Sequence, residues 1–125
     1  MVSWNNLDTL SSYKELADVK PACLTEVMSG DNGAERVKNY SVPMAAGLSY
    51  NYASKQINEN VLAALEKLAD EAQLADKFKA LYNGEVVNTG EKRLVLHHMT
   101  RGQLGDAVEA DGVDKRTFYK TQSRM

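Results

Sequence analysis

The sequence predicts a mainly α-helical fold with one short strand. Apolar residues recur at intervals of three and four along most of the 125-residue chain, which is the spacing of one face of an α-helix. Residues that cap or end helices separate these stretches, and only one segment alternates apolar and polar side chains as a half-buried strand does. The length suits about one domain, and 43% hydrophobic with 26% charged residues is typical of a soluble globular protein.

The first part of the chain, residues 1–44, is predicted to consist of helices. Between Ser3 and Lys20 apolar side chains recur at intervals of three and four, which predicts an amphipathic helix, either continuous or broken at the polar gap after Leu10: Trp4, Leu7, Leu10, Tyr13, Leu16 and Ala17. Pro21 suits the first turn of a second helix, which the turn residues SGDNG at 29–33 are expected to stop. A short helix over residues 34–39 is also predicted.

The second part, residues 45–125, contains the predicted strand and the longest predicted helix. In the strand, Leu48, Tyr50 and Tyr52 alternate with polar residues. One strand cannot form a sheet, so its partner is expected elsewhere in the chain or outside it. From Asn58 to Leu74, apolar residues at intervals of three and four predict an amphipathic helix, with charged residues on the other face.

Three further helices are predicted towards the end of the chain. The first covers residues 75–82 and ends at Asn83 and Gly84, which favour the left-handed conformation. The second has about three turns and ends at Gly102; Asn88 caps it, with Glu91 reaching back as in a capping box.

An Asp111–Gly112 turn precedes the third of these helices, which begins at Asp114. Phe118 is predicted to face the core, and Tyr119 is a second candidate to do so. The apolar face of this helix is incomplete at Met125, so we expect the natural polypeptide to continue.

Composition excludes several classes of function. The net charge of −2 and the scattered basic residues disfavour nucleic acid as a partner. A single cysteine, Cys23, excludes an intramolecular disulfide and a Cys/His zinc set, which fits a reducing, cytoplasmic location. The chain has no signal-peptide pattern and no apolar run of membrane-spanning length, so no membrane partner is expected.

The residues that most resemble a chemical site are His97 and His98, inside the helix predicted to follow Asn88. Neighbours on a helix point about 100° apart, so the two rings cannot bind one metal from the same face. We interpret them as scaffold at the edge of a helix contact; a metal site, and a site at a subunit or domain contact, are the alternatives.

Other motifs also lack essential parts. The acidic turn from Asp106 to Asp114 misses calcium ligands, and no glycine-rich phosphate loop is present. Cys23 is predicted to be a buried small hydrophobe. The residues alone therefore predict no catalytic, cofactor-binding or metal-binding site.

Residues 50–102 resemble the N-terminal part of the glucose-6-phosphate isomerases, also called phosphoglucose isomerases. The matching residues run in family order: Tyr52, Ser54, Lys55, Leu68, Ala69, Glu71, Tyr82, Gly84, Glu85, Asn88, Glu91, Arg93, Val95, Leu96, His97 and Arg101. Residues 1–44 match loosely. His97 corresponds to a helix histidine of the family, not to its ring-opening histidine.

The resemblance implies a parent enzyme that interconverts glucose 6-phosphate and fructose 6-phosphate in glycolysis and gluconeogenesis. A general base moves a proton between C1 and C2, without metal or nicotinamide, so no cofactor is expected. The helices would pack on an α/β sugar-isomerase (SIS-like) domain that binds the sugar phosphate. That domain and all catalytic residues are expected beyond this chain, which would be inactive alone.

The expected partners are accordingly the rest of the isomerase chain and, in the parent, a second identical subunit. The alternative is a free-standing helical interaction module that docks a partner through its exposed strand edge and its last helix.

Overall fold

The computed structural model describes residues 2–102 and 106–122. Within them the fold is mainly α-helical, as predicted. The helices are Ser11–Asp18 (α1), Leu24–Val27 (α2), Gly30–Asn39 (α3), Glu59–Glu71 (α4), Leu74–Tyr82 (α5) and Lys115–Gln122 (α6), with 3₁₀ turns at Leu7–Thr9, Ala45–Gly47 and His97–Thr100. None of these helices is long and apolar enough to cross a lipid bilayer.

The prediction of a single strand is wrong, because six short strands form three antiparallel pairs in the described residues. They are Ser41–Pro43 (β1), Ser49–Asn51 (β2), Val86–Asn88 (β3), Arg93–Leu94 (β4), Glu109–Ala110 (β5) and Val113–Asp114 (β6). Strand β2 lies in the segment whose alternation predicted a strand, whereas the other five have two or three residues and no such pattern around them.

The chain packs into two compact units. One comprises Leu10–Leu68, and the other comprises Met1–Thr9 with Ala69–Met125. The domain boundary predicted at residue 44 stays a prediction.

In the Leu10–Leu68 unit, the predicted strand finds its partner immediately upstream. Strand β1 pairs with β2 so that Val42 lies opposite Tyr50. Four large apolar side chains of this ribbon and its turn stay about half exposed: Val42, Met44, Leu48 and Tyr50.

The N-terminal helices differ from the predictions in their bounds. The first predicted helix is broken in the middle, which is the second of the two predicted forms: a 3₁₀ turn covers Leu7–Thr9, and α1 begins at Ser11. The second predicted helix ends before the SGDNG segment, as expected: α2 ends at Val27, and the separate helix α3 takes its first turn from that segment. Gly33 makes this possible, because a Cβ at this position would clash with the backbone carbonyl of Met28. Cys23 precedes α2 and is exposed, which corrects its predicted burial.

In the other unit, α5 ends as predicted, with Gly84 in the left-handed region at φ +71°. A Cβ on Gly84 would clash with the side chain of Val108. Val108 forms the buried cluster of this unit with Leu96 and Met99, and Leu94 and Tyr119 pack against it.

The three-turn helix predicted between Asn88 and Gly102 is wrong. The strands β3 and β4 form a hairpin there, and a 3₁₀ turn follows at His97–Thr100. The predicted contact between Asn88 and Glu91 is present, because the Glu91 N–H donates to Asn88 Oδ1 at 3.2 Å. This hydrogen bond closes the hairpin turn and does not cap a helix. An Asn side chain forms the same local bond in a turn and at a helix start, which explains the error.

The last predicted elements are largely confirmed. Asp111 and Gly112, both with positive φ, form the turn between β5 and β6. The backbone N–H of Arg116 donates to Asp114 Oδ1 at 3.0 Å where α6 begins. Phe118, however, is 47% exposed, so its predicted inward orientation is wrong, and Tyr119 faces the core. Residues 123–125 of the predicted helix lie outside the described residues.

Candidate functional site

His97 and His98 open the 3₁₀ turn that follows the β3–β4 hairpin. His97 is exposed and His98 is half-buried. Successive residues of a 3₁₀ helix point about 120° apart, so the two rings lie in different surroundings. No group of three or more histidine, cysteine or carboxylate side chains in the described ranges is arranged to hold a metal ion.

His98 packs against the aromatic ring of Tyr82 at the end of α5. The two ring centroids are 4.7 Å apart and the planes are tilted by 46°. Both ring nitrogens of His98 are shielded from solvent, and neither has a hydrogen-bond partner in the described residues. Buried polar groups are normally bonded, so an imidazole with two unpaired nitrogens is unusual.

The surroundings of His98 disfavour its protonated form. Burial lowers the pKa of the His98 imidazole below its usual 6.5, and the positive charge of Arg116 lowers it further. The backbone carbonyls of Tyr82 and Val95 oppose this lowering of the pKa. His98 is therefore neutral near pH 7.

Arg116 reaches from α6 into the interior of the unit and is only 6% exposed. Its Nε donates to the carbonyl of Asp106, and its Nη2 donates to the carbonyl of Tyr82. Its Nη1 is buried and has no hydrogen-bond partner in the described residues. The guanidinium is thus held in place from two sides, with donor capacity left over.

A cleft of about 300 Å³ opens beside these residues. Its lining consists of Tyr82, His97, His98, Arg101 and Gly102. These five described residues include imidazole and guanidinium groups, and none of them carries a carboxylate, thiol or aliphatic hydroxyl. They can therefore attract negative charge, but they do not include a paired nucleophile and base.

The acidic segment from Asp106 to Asp114 is a hairpin rather than a cation loop. Asp111 pairs with Lys115 at 3.5 Å. Asp114 accepts a hydrogen bond from the Thr117 hydroxyl at 2.6 Å, and this bond is the main cause of the lowered pKa of Asp114. These carboxylates serve the turn and the start of α6.

Two buried arginines were missed in the sequence. One is Arg116, and the other is Arg36 of α3, which is 7% exposed and donates to the carbonyls of Ala53, Lys55 and Ile57. The available signal was weak: Arg116 precedes Tyr119 by three residues and so shares its helical face, and Arg36 precedes Tyr40 by four. An arginine on a short polar helix normally indicates a solvated surface.

Fold and cleft together define a mainly helical domain in which buried arginines bind backbone carbonyls. The model of the phosphoglucose isomerase family matches residues 51–124. The chain belongs to this family, and the resemblance seen in its sequence is confirmed.

Individual relatives extend the similarity over nearly the whole chain. Glucose-6-phosphate isomerase of Treponema denticola is 44% identical over 123 residues, which cover 94% of this chain and 23% of the relative. The same enzyme of Borreliella afzelii is 42% identical over 98% of the chain. That of Treponema pallidum is 47% identical over 94%. Most of residues 1–44 lie within these alignments, although the family model begins at residue 51. The chain spans about 23% of the length of these relatives.

Proposed function

We propose that this chain is the N-terminal segment of a cytoplasmic glucose-6-phosphate isomerase. The longer protein would interconvert glucose 6-phosphate and fructose 6-phosphate as an aldose–ketose isomerase. The observation that carries the proposal is the 44% identity over nearly the whole chain to an enzyme of that name. The single cysteine supports a reducing compartment.

In this proposal the segment is scaffold, and the catalytic and sugar-binding residues belong to the rest of the polypeptide. A general base works only when a folded site holds it against the substrate carbon. None of the described residues that line the cleft beside His98 carries a carboxylate that could serve as this base. The partners would be the remaining isomerase chain and a second identical subunit, and no metal or nicotinamide would be required.

A coupled assay tests both parts of the proposal. Fructose 6-phosphate is supplied, and glucose 6-phosphate is detected through NADPH from a dehydrogenase. We expect no turnover above buffer from the 125-residue chain. We expect turnover from the polypeptide captured from source cells with an antibody to α4, and an intact mass several times 13.8 kDa. Turnover by the short chain would overturn the scaffold role, and an inactive long polypeptide would overturn the isomerase assignment.

A free-standing interaction module is the second candidate, and the β1–β2 ribbon favours it. Leu48 is 64% exposed and Met44 is 56% exposed, so the ribbon presents apolar surface suited to a partner. This candidate requires a mass of 13.8 kDa in source cells and capture of a protein other than a sugar isomerase. Leu48→Asn should abolish the capture, whereas Lys38→Asn, on the exposed side of α3, should not.

A further inference from the structure

The cleft beside His98 brings together cationic side chains that form no ion pair with an acidic side chain of residues 2–102 and 106–122. Ion pairs in the described ranges involve Lys67, Lys79, Arg93 and Lys115. Arg101 on the rim of the cleft and Arg116 behind it take part in none of these pairs. The chain as a whole carries a net charge of −2, so this local excess of positive charge is not a consequence of composition.

The positive charge behind the cleft is fixed. Arg116 donates to the carbonyl of Tyr82, and Tyr82 itself lines the cleft. Because Arg116 is only 6% exposed, its guanidinium is poorly screened by water. Its field acts on the wall formed by Tyr82 and His98, and it contributes to the lowered pKa of His98.

We propose that this cleft binds a small oxyanion, either a phosphate group or a carboxylate. Arg101 and His97 donate hydrogen bonds to it at the rim, and the charge of Arg116 stabilises it from behind. Guanidinium and imidazole groups are the usual donors to oxyanions, and a volume of about 300 Å³ holds a phosphate group. Binding of the oxyanion in this cleft does not depend on the proposed isomerase reaction, because no substrate is converted there.

Binding of an oxyanion also changes the protonation of His98. The guanidinium of Arg116 acts on this imidazole from α6, and the ring of Tyr82 faces it from α5; His97 and Arg101, from its own segment, line the same cleft. A bound anion offsets the repulsion from Arg116, so it raises the pKa of His98. By linkage, the anion binds more tightly as the pH falls.

The test uses the two histidines as reporters, since the chain contains no others. Inorganic phosphate is titrated into the 125-residue chain at constant ionic strength, with chloride as the balancing anion. Imidazole ¹H–¹³C NMR signals are recorded and assigned with His97→Asn. We expect saturable shifts of both histidines and a higher pKa of His98 in phosphate. Acetate in a parallel titration distinguishes a carboxylate preference from a phosphate preference.

Two variants make the result decisive. Arg101→Gln should weaken phosphate binding about tenfold, which is the effect of losing one charge-assisted hydrogen bond. Arg93→Gln is the matched control: this arginine is exposed on the β3–β4 hairpin beside Glu91, and its loss should change nothing. Non-saturable shifts with both anions, or equal weakening in both variants, would overturn the proposal in favour of general charge screening.

Discussion

Each unit of the molecule contains a buried arginine that binds backbone carbonyls. The two guanidinium groups differ in how many of their hydrogen-bond donors are paired. In the Leu10–Leu68 unit, Arg36 is 7% exposed and donates to the carbonyls of Ala53, Lys55 and Ile57 at 2.7 to 3.0 Å. Its guanidinium also lies 4.1 Å from the ring centroid of Tyr40. In the other unit, Arg116 binds two carbonyls, leaves Nη1 unpaired and faces a neutral histidine.

The difference separates a structural clamp from a candidate binding site. Arg36 fixes the loop before α4 to α3 with three hydrogen bonds and an aromatic contact. Arg116 donates to two carbonyls, and its Nη1 has no hydrogen-bond partner in the described residues. Its charge acts on His98, which lines an open cleft. Removing a charge from water is costly. An external anion therefore gains the most binding free energy beside a buried charge whose hydrogen-bond donors are not all paired.

The largest expected effect is that of Arg36→Met. The substitution leaves three carbonyls without their donor, and we expect it to lower the free energy of unfolding by about 4 kcal/mol. Urea unfolding followed by circular dichroism measures this change. Lys38→Met on the exposed side of the same helix is the control and should change stability by less than about 0.5 kcal/mol. Equal effects of the two variants would contradict the clamp.

Arg116→Met should cost less, about 2 kcal/mol, although the two arginines are equally buried. Two carbonyl bonds are lost, but an unpaired buried donor disappears with them. The same substitution removes the charge beside His98, so the pKa of His98 should rise, as measured by NMR. If Arg116→Met destabilises as much as Arg36→Met and leaves the pKa of His98 unchanged, the distinction between the two arginines fails.

Local signals in the sequence predicted the elements whose shape depends on neighbouring residues. The end of α5 at Gly84, the turn at Asp111 and Gly112 and the start of α6 after Asp114 are of this kind. The contact between Asn88 and Glu91 was also predictable. The secondary structure that contains it was not, because the same hydrogen bond forms in a turn and at the start of a helix.

The candidate site depends on contacts between distant residues, which a single sequence does not contain. His98 was singled out, yet its surroundings come from Tyr82, sixteen positions earlier, and from Arg116, eighteen positions later. The burial of Arg116 arises from the packing of α6 on the 3₁₀ turn, and a polar helix of eight residues gives no sign of it. The family resemblance could be recognised in the sequence because it depends on the order of residue types along the chain.

The stability of the unit that contains His98 should decrease on mild acidification. Since the folded-state pKa of His98 is lower than the unfolded value of about 6.5, the unfolded chain binds the proton more readily. The contribution of His98 to the free energy of unfolding is therefore complete above the unfolded pKa. It is lost as the pH drops from the unfolded pKa towards the folded-state pKa, with a slope of at most about 1.4 kcal/mol per pH unit. Hydrogen exchange of α6 amides at pH 7.5 and pH 5.5 detects this loss.

Matched histidine variants identify the group responsible. His98→Gln should flatten this pH dependence, while His97→Gln should retain it, because His97 is exposed. A pH dependence that survives in His98→Gln would assign the proton to another group. Saturating phosphate should reduce the dependence if the oxyanion site exists, since the bound anion narrows the difference between the folded and unfolded pKa values.

The smallest expected effect concerns the outer face of α6. Phe118 is 47% exposed, so Phe118→Ser should change the free energy of unfolding by less than about 0.5 kcal/mol. Tyr119→Ser, on the face that packs on Leu96, Met99 and Val108, should cost about 2 kcal/mol. Urea unfolding of both variants compares the two faces directly. A large loss in Phe118→Ser would place that face in a core contact, and the position of Arg116 relative to the cleft would then have to be revised.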